Sequence, residues 1–134
     1  MPDEYKRVIV EVLVNKYPNL IAVYLFGSKV NKQDNKNSDI DIAVLPKQPL
    51  DNWELWETAQ TLASKLYQDL DIIDLLKASL VMRSQIITTG VCLCSRDNKV
   101  RETFENYVYS AYARFNEERR AILESIQQRG NIYG

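Results

Sequence analysis

The spacing of apolar residues changes along the chain, and the changes predict alternating helices and strands. Residues 3–16 carry their apolar side chains on one stripe with a helical repeat. Leu20–Phe26 is instead a continuous apolar run of strand length, and Gly27 ends it. We therefore predict an amphipathic helix followed by a buried strand.

After one polar loop, the rest of the chain is predicted to hold three more strands and three more helices. In chain order these are the loop 28–38, which begins with a short helical turn, strand 39–45, helix 51–67, strand 70–76, helix 79–89, strand 91–94 and a helix from residue 99 to about 128. No repeat or linker interrupts them, so residues 1–134 are predicted to form a single domain of the α/β or α+β class. The order of the strands within the sheet does not follow from these patterns.

Aromatic residues cluster in two of the predicted helices. Trp53 and Trp56 lie three residues apart, which favours packing in the core or beneath a lid over a platform for a base. In the last helix the aromatic residues spread over more than one face; they are Phe104, Tyr107, Tyr109, Tyr112 and Phe115. Some of these rings are expected to be exposed, which indicates a surface for a protein partner.

The composition of the chain argues against several classes of function. The chain has 134 residues, 46% hydrophobic and 26% charged, as is typical of a folded globular domain. A net charge of -1 disfavours a module that holds nucleic acid by its phosphates, so no direct nucleic-acid partner is expected. The chain has no histidine, which excludes imidazole catalysis and the commonest zinc sites. Catalysis must then use carboxylates, hydroxyls, amines or a hard cation.

The sequence also predicts a cytosolic protein with reduced thiols. No apolar run approaches the roughly 20 residues needed to cross a bilayer, and the N-terminus is charged rather than signal-like. We therefore expect a cytoplasmic location and no membrane partner. Cys92 and Cys94 alternate along one short apolar segment, and we expect reduced packing residues whose side chains point to opposite faces of a strand.

A Gly-Ser pair precedes an Asp-x-Asp sequence by ten residues. Gly27 lets backbone N–H groups approach phosphate oxygens, and the Ser28 hydroxyl can donate to the same anion. Asp39 and Asp41 share one face of a strand, where their charges repel unless a cation lies between them. Mg²⁺ prefers such oxygen ligands. The motifs together indicate a site for a nucleoside triphosphate and a metal.

A third carboxylate can come from Asp71 or Asp74 on the next predicted strand. With Asp39 and Asp41 it could complete a two-metal site for in-line phosphoryl or nucleotidyl transfer, in which the metals stabilise the attacking and leaving oxygens. The two candidates are three residues apart, so on a strand they point to opposite faces. The alternation favours Asp71.

This pattern resembles the signature of nucleotidyltransferases that have a DNA polymerase β-like palm. The resemblance covers residues 5 to about 115, and in length the chain looks like a minimal nucleotidyltransferase. It implies a palm with a mixed sheet flanked by helices, here with a long C-terminal helix. After Gly-Ser the family usually has a basic residue, and Lys29 keeps that cation, although the glycine that normally follows is missing.

The resemblance implies a role for each motif residue. Gly27 and Ser28 would bind the β- and γ-phosphates, with Lys29 beside them. Asp39 and Asp41 would hold two Mg²⁺ ions. The third carboxylate of the family lies early in a strand between aliphatic residues, a position that Asp71 fits best; it would help to bind the catalytic metal and accept the proton of the attacking hydroxyl.

The resemblance further implies an antitoxin enzyme. Stand-alone proteins of this kind commonly pair with a helical HEPN-domain ribonuclease toxin and transfer AMP from ATP to one of its tyrosines. Two alternatives stay open. One is an inactive palm that neutralises its partner by contact through the aromatic last helix. The other is nucleotidyl transfer to a small molecule.

Overall fold

A computed structural model of the chain describes residues 1–30 and 39–133. The described part contains four α-helices, four strands and one 3₁₀ turn, and the predicted fold class is confirmed. They are α1 (Asp3–Lys16), β1 (Leu20–Phe26), a 3₁₀ turn (Gly27–Lys29), β2 (Ile40–Pro46), α2 (Asn52–Leu66), β3 (Leu70–Asp74), α3 (Leu80–Thr89), β4 (Val91–Ser95) and α4 (Asn98–Tyr133). The 3₁₀ turn is the helical turn expected at the start of the polar loop. The rest of that predicted loop, 31–38, lies outside the described residues.

Local capping explains where the middle helices begin and end. The Asp51 carboxylate accepts a hydrogen bond from the backbone N–H of Glu54 at 2.9 Å and caps α2. Tyr67 ends α2 in the left-handed conformation, with φ 53°. The Ser79 hydroxyl accepts from the Met82 N–H at 3.1 Å and caps α3. The capping residues had been predicted as the ends of these helices, so the predicted bounds differ from the observed ones by single residues.

The strands form one mixed sheet in the order β3-β2-β1-β4. β1 pairs antiparallel with β2 and with β4, while β2 and β3 are parallel. β3 is therefore an edge strand next to β2. This order, which the sequence pattern did not predict, places the end of β1 beside the start of β2, and the start of β2 beside the start of β3.

Helices cover both faces of the sheet. On the first face, α1 and α2 pack against alternate strand residues such as Val23, Ile42 and Ile72. On the second face, Ile86 of α3 and Phe104 of α4 pack against Tyr24 and Ala43. β1 and β2 are thus buried on both sides along most of their length, which explains their apolar runs, whereas no residue of β4 is buried. No helix in the described part of the chain is long and apolar enough to span a bilayer.

The core prediction for the two tryptophans is wrong. Trp53 and Trp56 are 65% and 54% exposed, and their rings stack on each other with centroids 5.1 Å apart. The buried face of α2 is formed instead by Leu55, Ala59, Leu62 and Leu66. Trp56 follows Leu55 directly and is therefore turned about 100° away from that face.

Cys92 and Cys94 lie toward different faces of the sheet, as predicted. Simple strand alternation, however, does not produce this arrangement. Residues two apart on a regular strand share a face. Here the β1–β4 register shifts between Val23 and Tyr24, so Cys94 pairs with Val23 and Cys92 with Tyr24. Cys94 consequently packs on the first face, and Cys92 lies beside Tyr24 on the second. Both thiols are free.

The long helix α4 is buried only in its first half. The hydroxyl of Tyr24 on β1 donates to Glu105 Oε1 at 2.7 Å, and Arg101 donates to the same oxygen at 2.9 Å. Val108 is fully buried. Beyond it, every residue from 113 to 130 is exposed, including Phe115, Ile122 and Ile126, whose spacing places them on one side of the helix. Phe115 stacks on Tyr112 of the same helix, and the exposed apolar side chains in this half of α4 form a surface of the kind that binds a partner protein.

Candidate active site

The candidate site begins where β1 ends. Gly27 has a φ of +79°, a conformation that residues with side chains rarely adopt. The turn that it starts is closed by a hydrogen bond from the Val30 N–H to the Gly27 carbonyl at 3.1 Å. Ser28 is half-buried in this turn, and the Lys29 side chain is buried. The Gly-Ser pair is thus placed at the end of the interior strand β1, where the apolar run stops abruptly.

The β1–β2 pairing brings Gly27 against Asp41. Phe26, the last residue of β1, is in register with Asp41. A Cβ atom added to Gly27 would overlap Oδ2 of Asp41 and lie 3.2 Å from its Cγ. The two halves of the sequence motif, separated by ten residues, are therefore in direct contact. The contact requires glycine both for its φ and for its lack of a side chain.

The β2–β3 pairing brings two of the predicted carboxylates together. Asp41 and Asp71 are in register on neighbouring parallel strands, which places both side chains on the second face. Burial and the negative charges of Asp71 and Asp39 raise the pKa of Asp41 above its ordinary value. Asp39 immediately precedes β2 and is exposed, as is Asp71. The site is thus a cluster of negative charge next to the Gly27 turn.

Asp74 points away from this cluster. Its carboxylate is 5% exposed and accepts hydrogen bonds from the backbone N–H groups of Leu50 at 2.8 Å and Leu76 at 2.9 Å. These bonds join the turn after β3 to the segment that leads into α2. The structure therefore places Asp71 beside Asp41, and it gives Asp74 a different set of partners that are all backbone groups.

The donor chemistry suits a hard cation, although the protein alone does not form a closed cage. In residues 1–30 and 39–133, no three acidic, cysteine or histidine side chains converge on one point to form a metal site. The available ligands are carboxylate oxygens that repel one another, which is the environment that Mg²⁺ relieves. Mg²⁺ usually takes only one or two carboxylates and completes its shell with water and substrate phosphates. An open acidic pair next to the Gly27 turn fits that coordination.

A groove borders the same cluster and was not found by sequence reasoning. This β3-edge groove has a volume of about 490 Å³ and lies between α2, β3 and the start of α3. Its lining includes Trp56, Asp71, Ile72 and Met82. The tryptophan pair was a signal in the sequence, but its position beside Asp71 depends on the sheet order.

Known proteins resemble this chain over most of its length. The family described as "Polymerase beta, Nucleotidyltransferase" matches residues 8–99. Protein adenylyltransferase MntA of Shewanella oneidensis (strain MR-1) is 41% identical over 118 residues, which are 88% of this chain and 84% of that protein.

Solved structures of toxin-antitoxin complexes also contain chains that are similar to this one. A chain in the crystal structure of a toxin-antitoxin with AMP-PNP has 39% identity and a TM-score of 0.81, with 91% of this chain and 98% of that chain covered. A chain in the complex of tri-AMPylated Shewanella oneidensis HEPN toxin with MNT antitoxin has 37% identity and a TM-score of 0.78, covering 95% of this chain and 99% of that one.

Proposed function

Because this chain belongs to the polymerase beta nucleotidyltransferase family, we propose that it transfers AMP from ATP to a tyrosine hydroxyl of a HEPN-domain ribonuclease and so acts as an antitoxin. The contact of Gly27 with Asp41, with Asp71 in register beside them, is the observation that carries this proposal. A phosphate-binding turn and two carboxylates meet there within three neighbouring strands. A cytosolic location belongs to the proposal, since the reaction consumes ATP.

The Gly27 turn holds the leaving side of the triphosphate. Without a side chain at Gly27, phosphate oxygens can approach the backbone N–H groups of the turn. The Ser28 hydroxyl donates to the same oxygens, and the cation of Lys29 offsets their charge. These contacts align the terminal phosphates so that pyrophosphate leaves toward β1.

The carboxylates act at the reacting α-phosphorus and on the attacking hydroxyl. Asp39 and Asp41, with Asp71, would hold two Mg²⁺ ions, which neutralise charge on the attacking and leaving oxygens when bound. Asp71 accepts the proton of the attacking hydroxyl. The acceptor oxygen bonds to the α-phosphorus while the bond from that phosphorus to the pyrophosphate oxygen breaks. The products are an AMP ester of the acceptor and pyrophosphate.

The partner assignment is supported by the relatives and by α4. The relatives include an antitoxin in complex with an AMPylated HEPN toxin. In this chain, the second half of α4 presents exposed Phe115, Ile122 and Ile126 on one stripe. An apolar helix face of this kind is suited to helix-to-helix association with a partner protein.

The test is transfer of label from α-labelled ATP to the purified cognate HEPN partner. We expect one or more AMP groups on a tyrosine, located by peptide mass spectrometry, together with loss of the partner's ribonuclease activity. Neutralisation of the ribonuclease without any transferred label would instead favour the palm that acts by contact alone. Label on a small molecule but not on the partner would favour the third alternative.

A further inference from the structure

We propose that the β3-edge groove binds, in extended form, the partner segment that carries the acceptor hydroxyl. The inference rests on the proposed function, because it assigns the path of the acceptor to the same carboxylates. The groove is continuous with the site, since Asp71 lies both beside Asp41 and in the lining of the groove. A segment seated there would bring a side chain to Asp71.

In residues 1–30 and 39–133, no strand pairs with the main chain of β3 on the side of the groove. The Asp69 carbonyl and the Leu75 N–H bond to β2, so main-chain groups of the odd-numbered residues between them face β2. The main-chain groups of Leu70 and Ile72 face the outer edge of the sheet, and Ile72 also lines the groove. An exposed strand edge pairs readily with an extended segment, and strand addition is a common mode of peptide recognition.

The walls of the groove carry exposed apolar side chains. Trp56 is 54% exposed and stacks on Trp53, which is 65% exposed, while Met82 on the opposite wall is 39% exposed. Two exposed apolar side chains in the groove lining, with Trp53 stacked behind one of them, are unusual for a surface that meets only water. Tryptophan is also among the residues that contribute most to protein association. The pair therefore provides an apolar anchor next to an open strand edge.

The geometry of an in-line transfer predicts on which side of the reacting phosphorus the acceptor hydroxyl binds. In an in-line transfer the attacking and leaving oxygens lie on opposite sides of the phosphorus. Gly27, proposed to hold the leaving phosphates, is at the end of β1, on one side of Asp41. Asp71 and the groove are on the other side, because β2 separates β1 from β3. The groove is therefore on the side of the attacking hydroxyl.

The experiment compares Trp53→Ala/Trp56→Ala with wild type in steady-state AMP transfer to the full-length HEPN partner. We expect the KM for the partner to rise at least about tenfold, because the apolar anchor is lost. The Kd for AMP-PNP with Mg²⁺, measured by calorimetry, should stay within about twofold. Both tryptophans are exposed, so circular dichroism should show an unchanged fold. Met82→Glu, on the opposite wall, is a second variant that should raise the same KM.

Tyr67→Asn is the matched control, since Tyr67 is 93% exposed, lies outside the groove lining and has a left-handed φ that asparagine accepts. An unchanged KM in both groove variants, with transfer by wild type intact, would overturn the groove assignment alone. Weaker AMP-PNP binding with an unchanged KM for the partner would assign the groove to the nucleotide base and also overturn it. Failure of wild type to label the partner at all would refute the proposed function, and this inference with it.

Discussion

Gly27 lies so close to Asp41 that a single added carbon atom would overlap the carboxylate. The register of β1 with β2 creates this contact, and it couples the proposed phosphate turn to the proposed metal ligand. A change at either residue should therefore affect both tasks. The contact also explains why glycine is required here and not merely a residue that tolerates a turn.

Replacement of Gly27 by valine should reduce AMP-PNP affinity by at least about a hundredfold. The side chain would displace the Asp41 carboxylate and force a φ that valine does not adopt. Calorimetric titration with AMP-PNP and Mg²⁺ measures the effect. Gly130→Ala is the control, because a Cβ there meets no atom within 4 Å in the described chain. Unchanged affinity in a folded Gly27→Val protein would remove the phosphate-binding role.

The two candidate third carboxylates should respond differently to neutralisation. Asp71→Asn should keep nucleotide affinity within a few-fold and lower single-turnover transfer at least about a hundredfold, as expected for a group that accepts a proton in the transition state. Asp74→Asn should keep most of the transfer activity.

Asp74→Asn should instead lower the free energy of unfolding by about 1–3 kcal/mol, since an amide cannot accept both backbone hydrogen bonds as the carboxylate does. Urea unfolding measures this loss. The opposite pattern, with Asp74→Asn inactive and Asp71→Asn near normal, would show that the roles had been exchanged.

The orientations of Asp71 and Asp74 show which features the sequence predicts well. Strand alternation is a local property, so it separated Asp71 from Asp74 before the sheet order was known. The Gly-Ser and Asp-x-Asp spacing likewise indicated a common site. Their direct contact and the register of Asp41 with Asp71 came only from strand order, which depends on packing between distant segments.

Other features depended on tertiary structure and were missed or misjudged. The buried face of α2 is chosen by the sheet beneath it, so the spacing of Trp53 and Trp56 could not reveal that both are exposed. The opposite orientation of Cys92 and Cys94 comes from a register shift opposite Val23 and Tyr24. The β3-edge groove exists only because β3 is an edge strand.

The elevated pKa of Asp41 makes the stability of the metal-free protein depend on pH. Since the folded protein holds this proton more tightly than the unfolded chain, ionised Asp41 destabilises the fold above the raised pKa. The penalty is relieved as the pH falls through that pKa and is gone below the unfolded value. Asp41→Asn should therefore be more stable than wild type at neutral pH in EDTA, by a margin that shrinks in acid.

Urea unfolding of both proteins across this pH range is the measurement. Added Mg²⁺ should stabilise wild type more than Asp41→Asn, since the ion binds the folded carboxylates. A wild type that is the more stable of the two at neutral pH without metal would contradict the proposed repulsion.

The Tyr24–Glu105 hydrogen bond should stabilise the attachment of α4 to the sheet. Tyr24 is 2% exposed, and burial together with the Glu105 carboxylate raises the pKa of its phenol. Glu105→Ala should cost about 1–3 kcal/mol of unfolding free energy, because it leaves the buried hydroxyl and Arg101 without their shared acceptor. Glu102→Ala, which removes an exposed ion pair with Arg101 at 3.9 Å, should cost less than about 1 kcal/mol. Equal losses in the two variants would argue against a special role for the buried bond.

Transfer of label from α-labelled ATP to the HEPN partner by Asp39→Ala and Asp41→Ala tests the central claim most directly. Both residues are proposed to hold the metals that neutralise the reacting phosphate, so each variant should transfer AMP at least about a thousandfold more slowly than wild type. Circular dichroism should show that the variants remain folded. A folded Asp39→Ala/Asp41→Ala protein that labels the partner at the wild-type rate would contradict the account.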